Sequence, residues 1–359
     1  MTEHCVYFQN SNNIEQINDC SVNLVITSPP YPMIEMWDEI MSAQNPKIKQ
    51  SLLQNPHVAF ELMHEELDKV WKECYRVLKY GAFLCINIGD ATRTIGGDFT
   101  LYNNHSRIVN SCLNIGFTNL PNILWRKPTN APNKFMGSGM MPCGAYTTLE
   151  HEWILIFRKG GKREYKGEDD KIVRRESAFF WEERNVWFSD IWDIRGVRQQ
   201  ISNTQSRERN ASFPITLPYR IINMYSQRGD VVLDPFFGLG TTMLAAMLTE
   251  RNSVGYEIDN NLSKHIKDNI LSHRIDKMNT FIHQRVVAHK EFIKNRISEN
   301  KEVKYYNDYL NCDVMTKQET QLSLHYLTQI KNCSSDNHLM FRCKYEDKSD
   351  LSRLPIMSK

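Results

Sequence analysis

Several features are scarce or missing in this sequence of 359 residues, and each absence excludes a class of protein. Its apolar runs, such as residues 153–157, are far shorter than the roughly 20 residues that span a bilayer. Neither sign of charge dominates, because 44 Lys and Arg residues are balanced by 42 Asp and Glu residues. Any polyanion must therefore be bound by a local basic surface rather than by the protein as a whole.

The cysteines argue against two kinds of site. There are nine, and none forms a Cys-x-x-Cys pair or lies in a histidine cluster, so we expect reduced thiols and no bound metal. The first residues, MTEHCVYF, show no basic segment followed by an apolar stretch. We therefore expect a globular protein of the cytoplasm, without export and without a membrane partner.

Strands and helices alternate along the first 260 residues. The predicted strands, which are short and apolar, fall in residues 20–31, 82–89, 117–125, 151–158, 231–233 and 253–257. The predicted helices, with apolar side chains at helical spacing, cover residues 61–79, 217–226 and 241–249. This alternation predicts an α/β domain whose doubly wound, mostly parallel sheet is covered on both faces. Residues 261–297 continue as an amphipathic helical pattern, and residues 300–359 are polar without a clear period.

A glycine-rich turn from Asp234 to Thr242 directly follows one predicted strand and opens a helix. Its glycines at 238 and 240 let the backbone approach a ligand closely, and the helix amino terminus offers free N–H groups. The Gly-Lys pair of a phosphate loop and the third glycine of the dinucleotide motif are both absent. Glu257, at the end of the next strand, can accept hydrogen bonds from ribose hydroxyls. The pattern indicates a nucleoside ligand without a pyrophosphate, the alternative being an ordinary strand-to-helix corner.

A second motif, Ser28-Pro29-Pro30-Tyr31, stands where another apolar strand is stopped by proline. The motif suits the exocyclic amino group of a base, which is a poor nucleophile because its lone pair is delocalised into the ring. The Ser28 hydroxyl and the Pro29 carbonyl can accept hydrogen bonds from the amino group and so localise that lone pair. Tyr31 offers an aromatic face to a base rotated out of a duplex. The alternative is a proline-terminated strand with a packed tyrosine.

Together the two motifs indicate a shared site. In an open α/β sheet, ligands bind beyond the carboxyl ends of the strands, at the point where the strand order reverses. Both motifs can therefore face one crevice although about 200 residues separate them. A methyl donor and an amino acceptor would meet there.

In this order the two motifs, with Val-Gly-Tyr-Glu after the second, resemble those of the β-class DNA amino-methyltransferases over residues 6–260. The resemblance implies a Rossmann-like fold, S-adenosylmethionine as the methyl donor and double-stranded DNA as the substrate. It assigns the catalytic loop to Ser28, Pro29, Pro30 and Tyr31. It assigns the cofactor site to Asp234, Pro235, Phe236, Gly238, Gly240, Thr241, Glu257, Phe213 and Pro214. Where the family has Gly-Asp near the adenine of the cofactor, this chain has Ser11-Asn12, so the amide oxygen of Asn12 is expected to accept instead.

The first residue of the catalytic loop indicates which base is methylated. Family members with serine first usually act on N(4) of cytosine, and those with aspartate or asparagine first act on N(6) of adenine. Ser28 therefore favours cytosine, with adenine as the alternative. Methylation at carbon 5 of cytosine needs a cysteine nucleophile, commonly after proline. The single Pro-Cys pair ends at Cys143, in a long loop away from the motif, and we interpret it as structural.

DNA contacts are predicted within residues 160–210, where the resemblance places target recognition. Residues 158–175 hold eight Lys or Arg against four acids, which suits phosphate contacts but also a solvated loop. The candidate DNA-binding residues are Arg174, Arg175, Arg195 and Arg198. The aromatic residues within 179–192 are expected to form the core of a small recognition subdomain. The insert at 32–56 is a candidate lid over the flipped base.

These assignments divide the chain into four segments. Residues 1–159 form the catalytic-loop half of the domain, 160–210 the target-recognition insertion, 211–260 the S-adenosylmethionine half, and 261–359 a helical extension without an assigned role. The expected partners are double-stranded DNA, a companion restriction endonuclease and, through the long helix after 260, a second copy of the chain. The rival interpretations are a methyltransferase acting on N(6) of adenine, one acting on protein glutamine, and a catalytically silent DNA-binding subunit.

Overall fold

The computed structural model describes residues 1–127, 140–196, 213–335 and 338–346, with the backbone of 136–137. Within these residues, no helix is long and apolar enough to cross a membrane. The α-helices are α1 (Asp38–Gln44), α2 (Lys47–Gln54), α3 (Pro56–Val77), α4 (Asn104–Ile115), α5 (Glu168–Glu176), α6 (Trp181–Trp187), α7 (Thr216–Tyr225), α8 (Thr241–Leu248), α9 (Leu262–Ser272) and α10 (Ile275–Ser298). The strands are β1 (Thr2–Phe8), β2 (Val22–Thr27), β3 (Leu78–Ile88), β4 (Ala91–Ile95), β5 (Asp98–Tyr102), β6 (Phe117–Arg126), β7 (Met136–Gly137), β8 (Ala145–Tyr146), β9 (His151–Lys159), β10 (Ile191–Asp193), β11 (Val231–Asp234), β12 (Asn252–Glu257), β13 (Tyr305–Asn307), β14 (Cys312–Val314), β15 (Leu327–Asn332) and β16 (His338–Tyr345).

Ten of the strands form one sheet, in the order β10-β6-β9-β3-β2-β11-β12-β1-β16-β15. The five strands from β3 to β1 are parallel, whereas β9, β16 and β15 pair antiparallel with their neighbours. From β2 the chain proceeds to β3 on one side, and from β11 it proceeds to β12 on the other, so the strand order reverses between β2 and β11. This is the doubly wound, mostly parallel α/β architecture that the sequence predicts.

Strand β2 shows why the sheet is covered on both faces. All six of its residues are buried, and successive side chains point to opposite faces of the sheet. Leu24 and Ile26 enter a core that includes residues of α7, α8 and α10, whereas Val25 enters a second core that includes residues of α3 and α4. Burial on both faces explains the uninterrupted apolar sequence of this strand.

In the described part of the C-terminal extension the last α-helix ends at Ser298, which corrects the prediction of a helical segment throughout 261–359. Beyond it, β16 pairs antiparallel with β1, and β15 adds a further strand. The signal in the sequence is an alternation, because Leu339, Phe341 and Cys343 are buried and the residues between them are not. A strand that buries one face can carry polar residues on the other, as Arg342 and Lys344 do here, so it lacks the long apolar run by which the central strands are identified.

The predicted insertion does not form a separate subdomain core in its described part. Strand β10 joins the edge of the main sheet, and Trp192 is buried in the same core as Leu24. Phe180 packs with Ile282 and Val286 of α10 in a third core. These aromatic residues therefore attach the insertion to the sheet and to the C-terminal extension, and α10 packs against its own chain.

A buried charged pair stabilises this third core. His289 of α10 is fully buried, with its Nδ1 2.7 Å from Glu182 Oε1 and its Nε2 2.8 Å from the carbonyl oxygen of Asp313. Both partners are acceptors, so both ring nitrogens donate and the ring is positively charged. Burial disfavours the charge, but the hydrogen bonds and the charge of Glu182 prevail and raise the pKa of His289 from 6.5 to about 10. With both nitrogens donating, His289 has no lone pair for a metal ion, although Glu182 and Glu319 lie nearby.

The raised pKa of His289 makes stability depend on pH. The pair stabilises the folded protein fully below about pH 6.5, and this contribution is lost as the pH rises towards 10. We expect His289→Gln to lower the free energy of unfolding at pH 7 by about 3 kcal/mol. The variant should then lose less stability than the wild type between pH 7 and pH 10, which urea unfolding at the two pH values measures. Equal losses in the two proteins would contradict a charged His289.

Candidate active site

The two motifs lie side by side at the carboxyl edge of the sheet. Strand β2, which leads into Ser28, pairs in parallel with β11, which leads into the glycine-rich turn. Asp234 connects them, since its Oδ1 accepts a hydrogen bond from Thr27 Oγ1 at 2.7 Å and its Oδ2 accepts one from Thr242 Oγ1 at 2.6 Å. One carboxylate therefore fixes the positions of the Ser-Pro-Pro-Tyr loop, the turn and helix α8 relative to one another.

Asp234 is buried and accepts hydrogen bonds from three donors of the protein. It is 4% exposed, and the backbone N–H of Phe236 is a third donor to it at 3.2 Å. Burial raises the pKa of the Asp234 carboxyl group to about 7, against the opposing effect of its hydrogen bonds. Asp234 thus belongs to the site by holding its parts together rather than by offering a free carboxylate to a ligand.

Two residues of the turn adopt left-handed backbone conformations, Gly238 with φ of +55° and Gly240 with φ of +86°. A Cβ atom at Gly240 would lie 2.9 Å from Phe237 Cζ, whereas a Cβ atom at Gly238 would enter open space. The backbone of Gly238 therefore borders the crevice directly, as close approach to a ligand requires. The position of the Phe237 ring requires a glycine at Gly255 of β12, because a Cβ atom there would lie 2.0 Å from the ring. Sequence reasoning does not single out Gly255.

Glu257 lies across the turn from the glycines. Its Oε2 accepts a hydrogen bond from the Gly238 N–H at 2.8 Å, and its Oε1 accepts one from the Asp259 N–H at 2.9 Å. Burial raises the pKa of Glu257. Each carboxylate oxygen keeps lone-pair capacity for a further donor. Two acceptors beside an open glycine backbone suit the hydroxyls of a ribose.

The remaining residues predicted for the cofactor lie at the same edge of the sheet. Asn12 is exposed and follows β1, whose last residue pairs with Glu257. Phe213 and Pro214 are buried just before α7. The C-terminal end of helix α7 leads to the amino end of β11. The N-terminal end of α7 therefore lies towards the carboxyl edge of the sheet. The other three predicted residues belong to the turn itself: Pro235, Phe236 and Thr241.

In the Ser-Pro-Pro-Tyr loop, Ser28 Oγ lies 3.1 Å from the hydroxyl of Tyr31. That hydroxyl donates to Glu152 Oε2 at 2.9 Å and accepts from Asn87 Nδ2 at 2.8 Å. Burial, followed by the charge of Glu152, raises the pKa of Tyr31 well above 10. Its ring packs against Gly89, where a Cβ atom would lie 3.0 Å from Tyr31 Cε2. The tyrosine is therefore anchored through both its hydroxyl and its ring.

Sequence reasoning missed Asn87 and Glu152. Asn87 lies near the carboxyl end of β3, and Glu152 lies near the start of β9, which is antiparallel to β3 and so begins at the same edge. The available signal is a polar side chain within an otherwise apolar strand. A polar group buried in a strand needs a hydrogen-bond partner. Here the partner is the Ser-Pro-Pro-Tyr loop.

The insert at 32–56 is folded into helices. It contains α1 and α2, and Met41 and Ile48 are buried in the core that includes α3. Asp38 forms a bidentate ion pair with Arg93 of β4, at 2.9 and 2.6 Å. The insert is thus docked on the domain, and its role as a lid stays a prediction.

Comparison with known proteins identifies the family. The sequence model of a family described as DNA methylase matches residues 22–268. The type II methyltransferase M.MthZI of Methanothermobacter thermautotrophicus is 47% identical over 352 residues, which cover 97% of this chain and 98% of the relative. The type II methyltransferase M.MjaI of Methanocaldococcus jannaschii is 48% identical over 75% of this chain and 91% of its own. The chain belongs to the DNA methylase family.

A solved structure of similar fold comes from Thermus thermophilus. It is the protein TTHA0409, whose complex with S-adenosyl-L-methionine matches 75% of this methylase and 96% of its own chain. The TM-score is 0.58 and the sequence identity 28%.

In a DNA methylase, the duplex must approach the edge of the sheet that carries the catalytic loop. Arg195 follows the last residue of β10, which is parallel to β6. Strand β6 ends opposite His151, at the start of β9, and this is the edge of the sheet that carries the catalytic loop. Arg195 therefore lies at the same edge as Ser28. Arg198 lies outside the described residues.

Arg174 and Arg175 lie at the opposite edge. The segment before α5 leaves the end of β9 at the amino edge of the sheet, where Arg163 forms an ion pair of 2.6 Å with Asp230, the residue before β11. The Arg174 guanidinium stacks on Tyr165 at 4.2 Å. The length of the strands separates these two arginines from the catalytic loop, and their contact with the target duplex stays a prediction.

This placement predicts a difference between the arginines. Replacing Arg174 and Arg175 together by Ala should change the affinity for a target duplex by less than about twofold, whereas Arg195→Ala should weaken it by about fivefold or more. Fluorescence anisotropy with a labelled duplex at one fixed salt concentration measures both. A greater loss in the double variant than in Arg195→Ala would show that the duplex reaches the amino edge.

Proposed function

We propose that this methylase transfers a methyl group to N(4) of cytosine at a specific sequence in double-stranded DNA. We further propose that it protects host DNA in the cytoplasm against a companion restriction endonuclease. S-adenosylmethionine is the methyl donor. The observation that carries the proposal is the Thr27–Asp234 hydrogen bond of 2.7 Å, which holds the Ser-Pro-Pro-Tyr loop beside the glycine-rich turn. The acceptor site and the donor site then share one crevice.

The residues at the turn fit a nucleoside cofactor. S-adenosylmethionine supplies an electrophilic methyl group when it is bound. The open backbone at Gly238 and the two oxygens of Glu257 would hold its ribose. Asn12, exposed beyond β1, would accept a hydrogen bond from its adenine. Asp234 fixes this recess relative to the catalytic loop through its two threonine partners.

The catalytic loop prepares the amino group of the base. Ser28 is partly exposed at the carboxyl end of β2, and Pro29 follows it directly. The Ser28 hydroxyl and the Pro29 carbonyl accept hydrogen bonds from the two amino N–H groups, which favours the form with a localised lone pair. Transfer is then direct, without a covalent intermediate on the enzyme, and the amino nitrogen releases one of its two protons to water as it gains the methyl group. Cys143, which is exposed and outside the loop, takes no part.

The choice of base rests on Ser28. Its presence at the first position of the motif supports cytosine, and N(6) of adenine is the alternative because an adenine amino group needs the same two acceptors. The designation of both close relatives as type II methyltransferases supports a restriction-modification context.

Nucleoside analysis tests the proposal. Purified protein is incubated with unmethylated DNA and S-adenosylmethionine carrying an isotopically labelled methyl group, and the DNA is digested and analysed by mass spectrometry. The expected labelled product is N(4)-methyldeoxycytidine. N(6)-methyldeoxyadenosine would assign the same site to the alternative base. Labelled 5-methyldeoxycytidine, or no label in DNA, would overturn the proposed mechanism.

A further inference from the structure

Glu152 contacts the catalytic loop and has no part in the mechanism described so far. Its Oε2 lies 2.9 Å from the Tyr31 hydroxyl and 2.7 Å from Asn87 Nδ2. Its Oε1 contacts Lys127 Nζ. The side chain is 15% exposed. A largely buried carboxylate with three hydrogen-bond partners has a fixed orientation, so its hydrogen bonds constrain the groups that it touches.

The proton positions around Tyr31 follow from counting donors and acceptors. A phenol has one O–H to donate, and its oxygen can accept two hydrogen bonds. Two acceptors compete for the Tyr31 proton, Glu152 Oε2 at 2.9 Å and Ser28 Oγ at 3.1 Å. The carboxylate is nearer and charged, so it takes the proton. The raised pKa of Tyr31 keeps that proton on the phenol.

Asn87 fills one of the two acceptor positions on the Tyr31 oxygen. Its Nδ2 donates one hydrogen to Tyr31 at 2.8 Å and the other to Glu152 at 2.7 Å. The opposite orientation of the amide would place its oxygen against two other oxygens, one of them charged, so the donating orientation is favoured. A single acceptor position is left on the Tyr31 oxygen, and the Ser28 hydroxyl donates to it at 3.1 Å.

The Ser28 hydroxyl therefore points its hydrogen at Tyr31 and its lone pairs away from it. We infer that Glu152 is a positioning residue that acts through Tyr31 to make Ser28 a hydrogen-bond acceptor towards the target amino group. This inference rests on the proposed function and deepens it. A Ser28 hydroxyl free to rotate could donate to the amino nitrogen and occupy the lone pair that must attack the methyl group. A chain of hydrogen bonds ending on a charge also strengthens each bond along it.

The substitution Glu152→Gln tests the inference, because glutamine keeps the shape and removes the charge that directs the chain. We expect kcat to fall by about 10- to 100-fold, with the dissociation constants for S-adenosylmethionine and for duplex DNA within about twofold of the wild type. Glu150→Gln is the matched control, since Glu150 is an exposed carboxylate two residues away. It should leave kcat unchanged.

A double-mutant cycle separates this chain from general support of the fold. In a Tyr31→Phe background the chain is already cut, so Glu152→Gln should lower kcat by less than about twofold more. Effects that multiply, or a Glu152→Gln enzyme with wild-type kcat, would overturn the inference. If Glu152→Gln fails to fold, Tyr31→Phe is tested instead, because phenylalanine keeps the ring and removes only the hydroxyl. A wild-type kcat in Tyr31→Phe would overturn the inference. Failure of the proposed function would instead appear as wild-type protein that does not methylate DNA.

Discussion

Replacing Ser28 by Ala is expected to lower the rate of methyl transfer by about 100- to 1000-fold, the usual effect of removing one group that stabilises developing charge. The variant loses an acceptor that acts on the amino group of the base and not on the cofactor. Its dissociation constant for S-adenosylmethionine should therefore stay within about twofold of the wild type. Single-turnover kinetics and isothermal titration measure the two quantities.

Ser21→Ala is the matched control for this substitution. Ser21 precedes the same strand at its other end, where its hydroxyl donates to the Asn18 carbonyl oxygen at 2.7 Å. The control should transfer methyl groups at the wild-type rate. Equal losses of turnover and cofactor affinity in a Ser28→Ala protein that unfolds at the same urea concentration as the wild type would contradict the role assigned to the hydroxyl.

Replacing Glu257 by Gln is expected to give the opposite pattern. Hydrogen bonds to a charged acceptor contribute about 1.5 to 3 kcal/mol each, so the affinity for S-adenosylmethionine should fall by about 10- to 100-fold. At saturating cofactor, methyl transfer should stay within about fivefold of the wild type, because Glu257 contacts the turn and not the Ser-Pro-Pro-Tyr loop. Binding titration and single-turnover rates test both statements.

The control for Glu257→Gln is Glu291→Gln, on the exposed face of α10. It should bind the cofactor as the wild type does. Should Glu257→Gln bind S-adenosylmethionine normally but transfer methyl groups slowly, the assignment of the two motifs to cofactor and base would be wrong.

The juxtaposition of the two motifs could be predicted because it depends on topology alone. Two apolar strands of a parallel sheet, each followed by an abrupt break, place Ser28 and Asp234 at one edge whatever their separation in sequence. The roles of Gly238 and Glu257 could also be predicted, because few positions other than a ligand-binding turn and the strand end beside it need a glycine and an acidic residue. These parts of the site need no knowledge of side-chain contacts.

The supporting residues could not be predicted in this way. Asn87 and Glu152 act through hydrogen bonds between strands, and the antiparallel direction of β9 that brings Glu152 to the catalytic edge is not encoded in its short apolar run. The same direction carries the basic segment with Arg174 to the amino edge, a position that its charge alone does not predict. The strand at 338–345 was not predicted because Arg342 and Lys344 interrupt its apolar residues, since a strand that buries one face needs apolar residues only at alternate positions.

The most direct test of cytosine methylation by this site is a base-resolution map of methylation in DNA from host cells that express the wild-type protein or Ser28→Ala. We expect N(4)-methylcytosine within one recurrent sequence in the first cells and none in the second. N(6)-methyladenine at such a sequence would contradict the choice of base drawn from Ser28, and the absence of any new methylated base in cells with the wild-type protein would contradict the catalytic role itself.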